Sequence, residues 1–584
     1  MSYTAHTQRG KFMKKVLFRT LLVLIPLGLF VWWNWFTDVP LKISPETTII
    51  TSPLTPDGKN VDYLAWLRSR LPEGLLTERN AGWRIIKEID LRKLQRPHEG
   101  SFYISEDYWT KLCDRMKLDP AAPRLVCKSF TLGTMEEYFK GRSPEDETRF
   151  NELKGYMETD FEWSEFFEKY EDFSRAWVEE NSPALDRLEE IALDPKSEFI
   201  CFPFFEPFEN APLYRLEMPV HEPMYSLGTA LQIRARWDLS QGNTEKVIRT
   251  VEALNRLGIL MQKVSIGLVN HIVGIRLQYW GTDISFVNAK KLLTPEQWKH
   301  LAELPLYEYS SDDYLRLAND FEFPAQLDYI QFCSNRKIPK DEYFIPRHDT
   351  GFWYLGYDWN QIAREIRQDQ KEAEANIRKD PWWPSHELQT TVRICPDSNW
   401  NFVRKFFFSG RKAQSQLVAE FFESMHFSDL EIQFLVSQTT HAHLFRLHCA
   451  LQLYRLDHEG QLPPAFTVNA EGKPLHSWTV QLLPYLGKEA EELYAKIRLD
   501  EPWDSEWNAQ FHNQMPHVFA TSNEMDSQEK TSFCRVTENE KYTLAQNTEG
   551  KNWMDPAAAV TEKEAEKLKE DGNWILESDG TIEN

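Results

Sequence analysis

The stretch VLFRTLLVLIPLGLFVWWNWF, Val16 to Phe36, constrains this chain more than any other. It has the length that a helix needs to cross a bilayer, and after Arg19 it carries no charge. Arg9, Lys11, Lys14 and Lys15 precede it with no acidic residue among residues 1–15, and Asp38 follows. That asymmetry predicts a cytoplasmic N-terminus. Trp32, Trp33 and Trp35 supply an aromatic belt for the far interface. A cleaved signal peptide shares the basic start and apolar core, but no small-x-small site follows and bulky Trp and Phe occupy its place. The segment therefore reads as an uncleaved anchor, with a basic tail over residues 1–15 and the chain from about residue 38 exoplasmic. In a double-membraned bacterium that is the periplasmic face of the inner membrane.

A chain of 584 residues is too long for one ordinary core, so two or three domains beyond the anchor are expected. Its 42% hydrophobic and 13% aromatic content marks a folded protein. The formal charge of −22 argues against nucleic acid as a partner, because phosphate binding needs a basic surface. Seven cysteines are scattered without a CxxC pair, which suggests neither a zinc site nor a disulfide framework. In an oxidising compartment Cys113 and Cys127 are the nearest candidates for a local bridge, and the odd count leaves at least one thiol free.

Residues 37–60 read as an extended connector, with three prolines, the β-favouring run Thr47 to Thr51 and a turn at Asp57-Gly58. From 61 to about 430 helical periodicity dominates. In WSEFFEKYEDFSRAW, Trp163, Phe166, Phe167, Tyr170, Phe173 and Trp177 share one face, as a helix–helix seam requires, and the acids take the other. Ser182-Pro183 reads as a cap and first position opening a new helix through Leu193. Residues 226 to 303 read as antiparallel helical hairpins that turn at Gly242-Asn243, with Val247, Val251, Leu254 and Gly258 on one face. Thr294-Pro295-Glu296-Gln297 is a helix start. Around 340 to 400 lie aromatic, proline-broken loops, including Trp382 and Trp383. Arg404, Lys405, Arg411 and Lys412 form a basic patch that reads as a solvated helix end, with a membrane surface or an acidic neighbour as the functional alternative.

Candidates for chemistry are few. His441, His448 and Cys449 lie in HAHLFRLHC, and His441 and His448 share a helical face at i+7. The i,i+4 pair of a zinc helix and an HExxH glutamate are missing, so these two are transition-metal candidates in the weakest sense. Asp500, Glu501, Asp504 and Glu506 in LDEPWDSEWN are spaced like oxygen ligands around a turn, making calcium the one cofactor to weigh, although an EF-hand glycine is missing. No GxSxG elbow, Walker loop or GxGxxG occurs. His476, Ser477 and Trp478 have no acid at a defensible triad spacing.

Two resemblances place the chain. ISPETTIITSPLTPDGKNVDYLAWL resembles the segment that follows the anchor in large planctomycete membrane proteins of unknown function. From His441 to about residue 510, ALQLYRLDHEGQLPPAF, EGKPLHSWTVQLLPYLG and RLDEPWDSEWN are similar to the planctomycete prepilin-like family of unknown function, whose members carry ALHNYHDxxGxFPPAY, DGKPLHSWRVLLLPYLEQ and DEPWDSPHN. That resemblance implies a pseudopilin-like module. The chain departs from the family in lacking the Phe-Thr-Leu-x-Glu processing signal and in placing a large helical region before the module. It ends in the acidic stretch EKEAEKLKEDGNWILESDGTIEN, which reads as a tail.

The expected architecture is mainly α: an N-terminal transmembrane helix over 16–36, a helical exoplasmic domain over 61–430 with a hairpin array at about 226–303, and a small α+β pseudopilin-like module over 431–584. The expected role is scaffolding or protein interaction in the cell envelope, with the membrane and an envelope protein as partners and no evident catalysis. The alternative is a carbohydrate-acting hydrolase using acidic and aromatic clefts around 340 to 400.

Overall fold

The structure is a computed structural model that describes residues 3–94, 104–140, 143–157, 163–206, 211–216, 220–264, 266–286, 293–335, 357–379, 411, 415, 429–521, 530–537, 542–570, 575–577 and 582–583. It is 61% helical with a small sheet-containing C-terminal region, as the periodicity implied. The helices that matter most are α1 (Tyr3–Phe36), α2 (Glu171–Leu193), α3 (His221–Ser240), α4 (Thr244–Gln262), α5 (Gly267–Phe286), α6 (Phe323–Ser334) and α7 (Asp429–Asp457). The chain divides into two compact units, each assembled from separated stretches of sequence. One comprises Met1–Arg70, Glu206–Leu216 and Tyr314–Ile432, and the other comprises Leu71–Phe205, Glu217–Asp313 and Gln433–Asn584.

In the first unit, α1 contains Phe18–Phe36, a helical stretch long and apolar enough to cross a membrane and wholly unburied by the protein. The connector that follows is held in place. Val39 and Asp358 form a parallel bridge, and Asn360 receives the Lys42 amide at 2.7 Å and donates to the Pro40 carbonyl at 2.8 Å. Gly58 adopts φ +70° in the Asp-Gly turn. The Thr47–Thr51 run is turn, not strand. Hydroxyls of Thr47 and Thr48 satisfy the Lys42 and Ser44 carbonyls, and Ile49 takes φ +57° so that the Ile50 amide reaches the Thr48 carbonyl. Local hydroxyl bonding outcompetes β propensity here.

Helix α6 organises this unit. Gln331 accepts from the Val61 amide at 2.8 Å and donates to the Val61 carbonyl at 2.9 Å. Asp328 accepts from the Leu213 amide at 2.8 Å. Tyr63 is buried beneath the connector and donates to the Thr48 carbonyl at 2.8 Å. The helix Trp359–Lys379 buries Ile362, Ala363 and Ile366, and its Gln370 donates to Gln326 on α6 at 2.8 Å.

The second unit is built on α2 to α5. The aromatic stripe is core, but it spans two helices, Trp163–Lys169 and α2, which meet at Tyr170 (φ −121°, ψ 39°). Phe130 sits at its centre, with ring centroids 5.1 to 5.9 Å from Trp177, Phe173, Phe166 and Trp163. The restart expected at Ser182-Pro183 does not occur, and α2 runs through Pro183 to Leu193. Asn181 and Ser182 bond back to the Trp177 and Val178 carbonyls at 2.8 and 2.7 Å, and the buried face of Ala184, Leu185, Leu188 and Ile191 continues unbroken. Tertiary packing therefore overrides the proline signal.

Helices α3, α4 and α5 follow one another through short connections and pack together. Gly242 turns the chain at φ +75° between the first two. Gly258 on α4 and Gly274 on α5 let their backbones touch: a Cβ on Gly258 would lie 2.3 Å from the Gly274 carbonyl oxygen. Buried Glu189 of α2 contacts Arg234 of α3 and Thr250 of α4, and Arg234 also meets Asp186 at 2.7 Å, so one charged cluster pins three helices. Thr294 and Gln297 form a reciprocal capping box on the helix Pro295–Ala302.

Helix α7 leads into the C-terminal region. Phe445 and Cys449 belong to the core of the helical array, whereas Leu444, Leu447, Ala450, Leu451 and Tyr454 belong to the core that follows. Apolar on opposite faces, α7 is packed between the two cores over Leu444–Tyr454. Gly460 ends it at φ +84°, its amide on the Arg455 carbonyl at 2.7 Å. Two short strands earlier in this unit, β1 (Ile89–Asp90) and β2 (Leu125–Val126), pair parallel, and after α7 strands β3 (Phe466–Val468) and β4 (Pro474–Ser477) pair antiparallel across Gly472 (φ +78°). A five-stranded sheet closes the chain in the order β7-β5-β6-β8-β9, where β5 is Lys530–Thr537, β6 is Tyr542–Asn552, β7 is Ala559–Thr561, β8 is Ile575–Glu577 and β9 is Ile582–Glu583. Among the described residues of this sheet β5–β7 is the parallel pair and the other pairings are antiparallel. The acidic C-terminus is thus not a solvated tail. Its helix Glu562–Glu570 buries Ala565 against Val536, Ala545 and Ile575, and its last described residues extend the sheet.

Candidate functional site

The segment HSWTVQLLPYL ends β4 and at once starts a short helix, Trp478–Leu482. Ser477 supplies the cap, and its amide donates to the Met554 carbonyl at 3.0 Å. Trp478 is fully buried and donates to the Ala558 carbonyl at 3.0 Å, while Thr479 bonds to the Trp553 carbonyl. His476 is buried with Nε2 on the Arg498 carbonyl at 3.2 Å, and burial holds its imidazole below the ordinary histidine range. The Ser477 amide, Trp478, Thr479 and His476 Nε2 thus tie the segment to neighbouring backbone, and none of them forms a nucleophile–base pair.

The histidines of α7 are separated by what they pack on. His441 lies on the Tyr279 ring with centroids 4.4 Å apart, and His448 lies on Trp298 at 5.5 Å. They share a face, as the i+7 spacing requires, but meet different aromatic partners and form no joint site. Burial pushes His441 down to about 3, with Arg276 adding to the effect. His443 points the other way, its Nδ1 2.6 Å from the Ala520 carbonyl, and burial lowers it too. Among the described residues no group of three or more His, Cys, Asp or Glu side chains is placed to hold a metal ion.

In LDEPWDSEWN the carboxylates fan out around a packed corner. Asp500, Asp504 and Glu506 are exposed, and Glu501 pairs with Arg498 at 2.8 Å. Asn508 holds the turn from inside, its Nδ2 donating to the carbonyls of Arg498 at 2.9 Å and Pro502 at 3.0 Å and its Oδ1 accepting from the Arg498 amide. The Trp503 amide reaches the Leu475 carbonyl at 2.9 Å, so this corner is stitched to the far edge of β4.

With this geometry in place, the comparisons bear on one part of the chain. Residues 441–573 match a family described as a protein of unknown function (DUF1559). The match begins where the sequence resemblance begins and runs past residue 510 to include β5, β6 and β7. No curated protein and no solved structure matches the chain.

Two small cavities lie in the second unit. One, of about 20 Å³, is lined by Gln278, Tyr279, Thr282, Tyr307, Gln438 and His441, and has room for about one water. The other, of about 10 Å³, brings Cys201, His221 and Asn270 together, with His221 Nε2 3.1 Å from Asn270 Oδ1. Cys-His-Asn is a composition with nucleophilic precedent, but burial pushes the Cys201 thiol up to about 12 and lowers His221, the reverse of a thiolate–imidazolium pair. Asn270 is also engaged by the Met261 and Val264 carbonyls. The arrangement packs a core and activates no thiol.

The expected Cys113–Cys127 bridge is absent. Both are free buried thiols, Cys113 against the Arg124 guanidinium at 3.7 Å and Cys127 enclosed so fully that its thiol is pushed up to about 12. Arg411, read as part of a solvated helix end, is buried instead. Arg404, Lys405 and Lys412, like Trp382, Trp383 and most of the 340–400 region invoked for a hydrolase, lie outside the described residues. Sequence reasoning missed Asp328 and the burial of Arg411, because no local pattern announces that distant segments will enclose a charge.

Proposed function

We propose that this is a single-pass, membrane-anchored envelope protein in which the DUF1559-matching region, a pseudopilin-like module of planctomycete type, acts in scaffolding or protein interaction. The observation that carries the reading is the unburied apolar helix Phe18–Phe36, which follows a basic segment and leads directly into the pinned connector. On this reading the N-terminus is cytoplasmic, the folded units are exoplasmic, and the anchor is retained. A long helix feeding a small sheet supports the pseudopilin likeness, although α7 here is internal and enclosed. The interaction role is supported by apolar side chains left exposed on the module, namely Leu456, Phe466, Val468, Leu499 and Trp507. The test is cross-linking of the full chain in intact membranes followed by its purification. A defined envelope neighbour whose cross-links map to the module supports the role, and recovery of no specific neighbour refutes it. Protease accessibility of the folded units in right-side-out vesicles tests the topology independently.

A further inference from the structure

Arg411 is an anomaly at the foot of the anchor. Its side chain is almost fully enclosed, with the residue 7% exposed, and no carboxylate among the described residues pairs with it. Its Nη2 donates to Thr37 Oγ1 at 2.7 Å and to the Trp33 carbonyl, its Cζ lies 4.4 Å over the Trp33 ring, and its Nε has no hydrogen-bond partner. An unpaired enclosed cation is costly unless an anion or an oriented dipole meets it. The last carbonyls of α1 offer the equivalent of only about half a charge. Among the described residues the guanidinium's charge is thus met only by neutral acceptors, at the end of the apolar helix and at the level of the exposed rings of Trp32 and Trp33.

We propose that Arg411, with Thr37 and Trp33, binds the phosphate of an anionic phospholipid at the membrane surface where α1 emerges. A phosphodiester carries the single negative charge and the several acceptor oxygens that a guanidinium fork matches. Trp is suited to the same interfacial depth and to stacking on that guanidinium. A zwitterionic headgroup brings its own cation and neutralises less. The lipid would fix the depth and orientation of the connector, since Thr37 and Asp38 lead straight into the bridge at Val39.

The inference rests on α1 crossing a membrane, which carbonate extraction of the full chain tests separately. A chain released by carbonate refutes the anchor, whereas a chain that is retained but indifferent to lipid charge refutes only the site. For the site, the full chain in detergent micelles is titrated with phosphatidylglycerol, phosphatidylcholine or inorganic phosphate while the thermal midpoint is followed. Phosphatidylglycerol should raise the midpoint saturably and the other two should not. Arg411→Gln should weaken the apparent affinity for phosphatidylglycerol about tenfold or more, while Arg9→Gln, in the opposite basic tail, should leave it unchanged. An equal response in wild type and Arg411→Gln overturns the proposal. Inorganic phosphate acting as well as the lipid overturns the lipid as the source of the anion. Should Arg411→Gln fail to fold, the wild type decides alone: equal effects of phosphatidylglycerol and phosphatidylcholine refute the site.

Discussion

Replacing Asp328 by Asn should remove a pH dependence that the wild-type chain carries. The carboxyl is buried on α6, and burial, with Asp62 adding repulsion, raises it to about 7 from an ordinary value near 3.8, against the opposing effect of the Leu213 amide. Its neighbour Tyr63 is held well above the ordinary tyrosine range, chiefly by burial, and stays neutral. A carboxyl raised by folding keeps its proton in the native state where the unfolded chain has lost it. The resulting stabilisation is complete below about pH 4 and is lost as pH rises through 7. At about 1.4 kcal/mol per pH unit the full effect is about 4 kcal/mol, of which about 2.5 falls between pH 5 and pH 8. Asparagine still offers an oxygen to the Leu213 amide and does not titrate, so the difference between the two proteins isolates this group. Cys333 is buried on the same helix and reports its opening. Pulsed thiol labelling of Cys333 along a urea series, resolved by mass spectrometry, yields the midpoint at each pH. The wild type should lose stability from pH 5 to pH 8 relative to Asp328→Asn. A flat or rising difference would show that water or a rearrangement solvates the carboxylate, and would refute the reasoning.

Further outcomes follow from single contacts. Gly258→Ala should cost about 3 kcal/mol in a denaturant titration, because its methyl meets the Gly274 backbone carbonyl at 2.3 Å, which, unlike the Gln278 side chain beside it, cannot swing aside. Trp478→Phe should cost about 1 to 3 kcal/mol by removing the indole's hydrogen bond to the Ala558 carbonyl and leaving a void in the core, and calorimetry of the full chain measures it. Cys113 and Cys127 should each react with a maleimide only after unfolding, without prior reduction, and a non-reducing peptide map showing them bridged would contradict the structure. Calcium added to a chelator-treated sample should leave the thermal midpoint unchanged, since Glu501 is already paired with Arg498 and its neighbours diverge into solvent. A saturable rise would restore the corner as a calcium loop.

What the sequence disclosed was local. The N-terminal apolar helix, the cap at Thr294, the turns at Gly58 and Gly242, and the buried face of α4 each follow from a few adjacent residues. Their physics is settled within one or two helical turns. What stayed hidden depends on separated segments. Pro183 looked like a boundary because the packing that holds α2 straight comes from other helices. Thr47 to Thr51 looked extended because the hydroxyl bonds that curl it are invisible to propensity. The discontinuity of both units has no sequence marker, and the burial of Arg411 and Asp328 comes from that discontinuity.

Helix α7 shows why the matched region is to be understood with the rest of its unit. A module that assembled through its own leading helix would need one apolar face of that helix unoccupied. Here Phe445 and Cys449 are taken by the helical array, and Leu444, Leu447, Leu451 and Tyr454 by the module itself. His441 and His448 are sealed against Tyr279 and Trp298 on the first of those faces, and His443 is bonded to Ala520 on the second. Neither face can be offered to another molecule without exposing a core and desealing a buried imidazole. On the interaction role proposed above, contacts with a partner would fall on the region's outer rim, where Phe466 and Val468 on β3 and Leu499 and Trp507 at the acidic corner are exposed. Polar substitutions there, such as Phe466→Ser with Val468→Ser, should abolish cross-linking to a neighbour while leaving the thermal midpoint nearly unchanged. Equivalent changes on α7 should unfold the unit, and that contrast separates a binding rim from a structural spine.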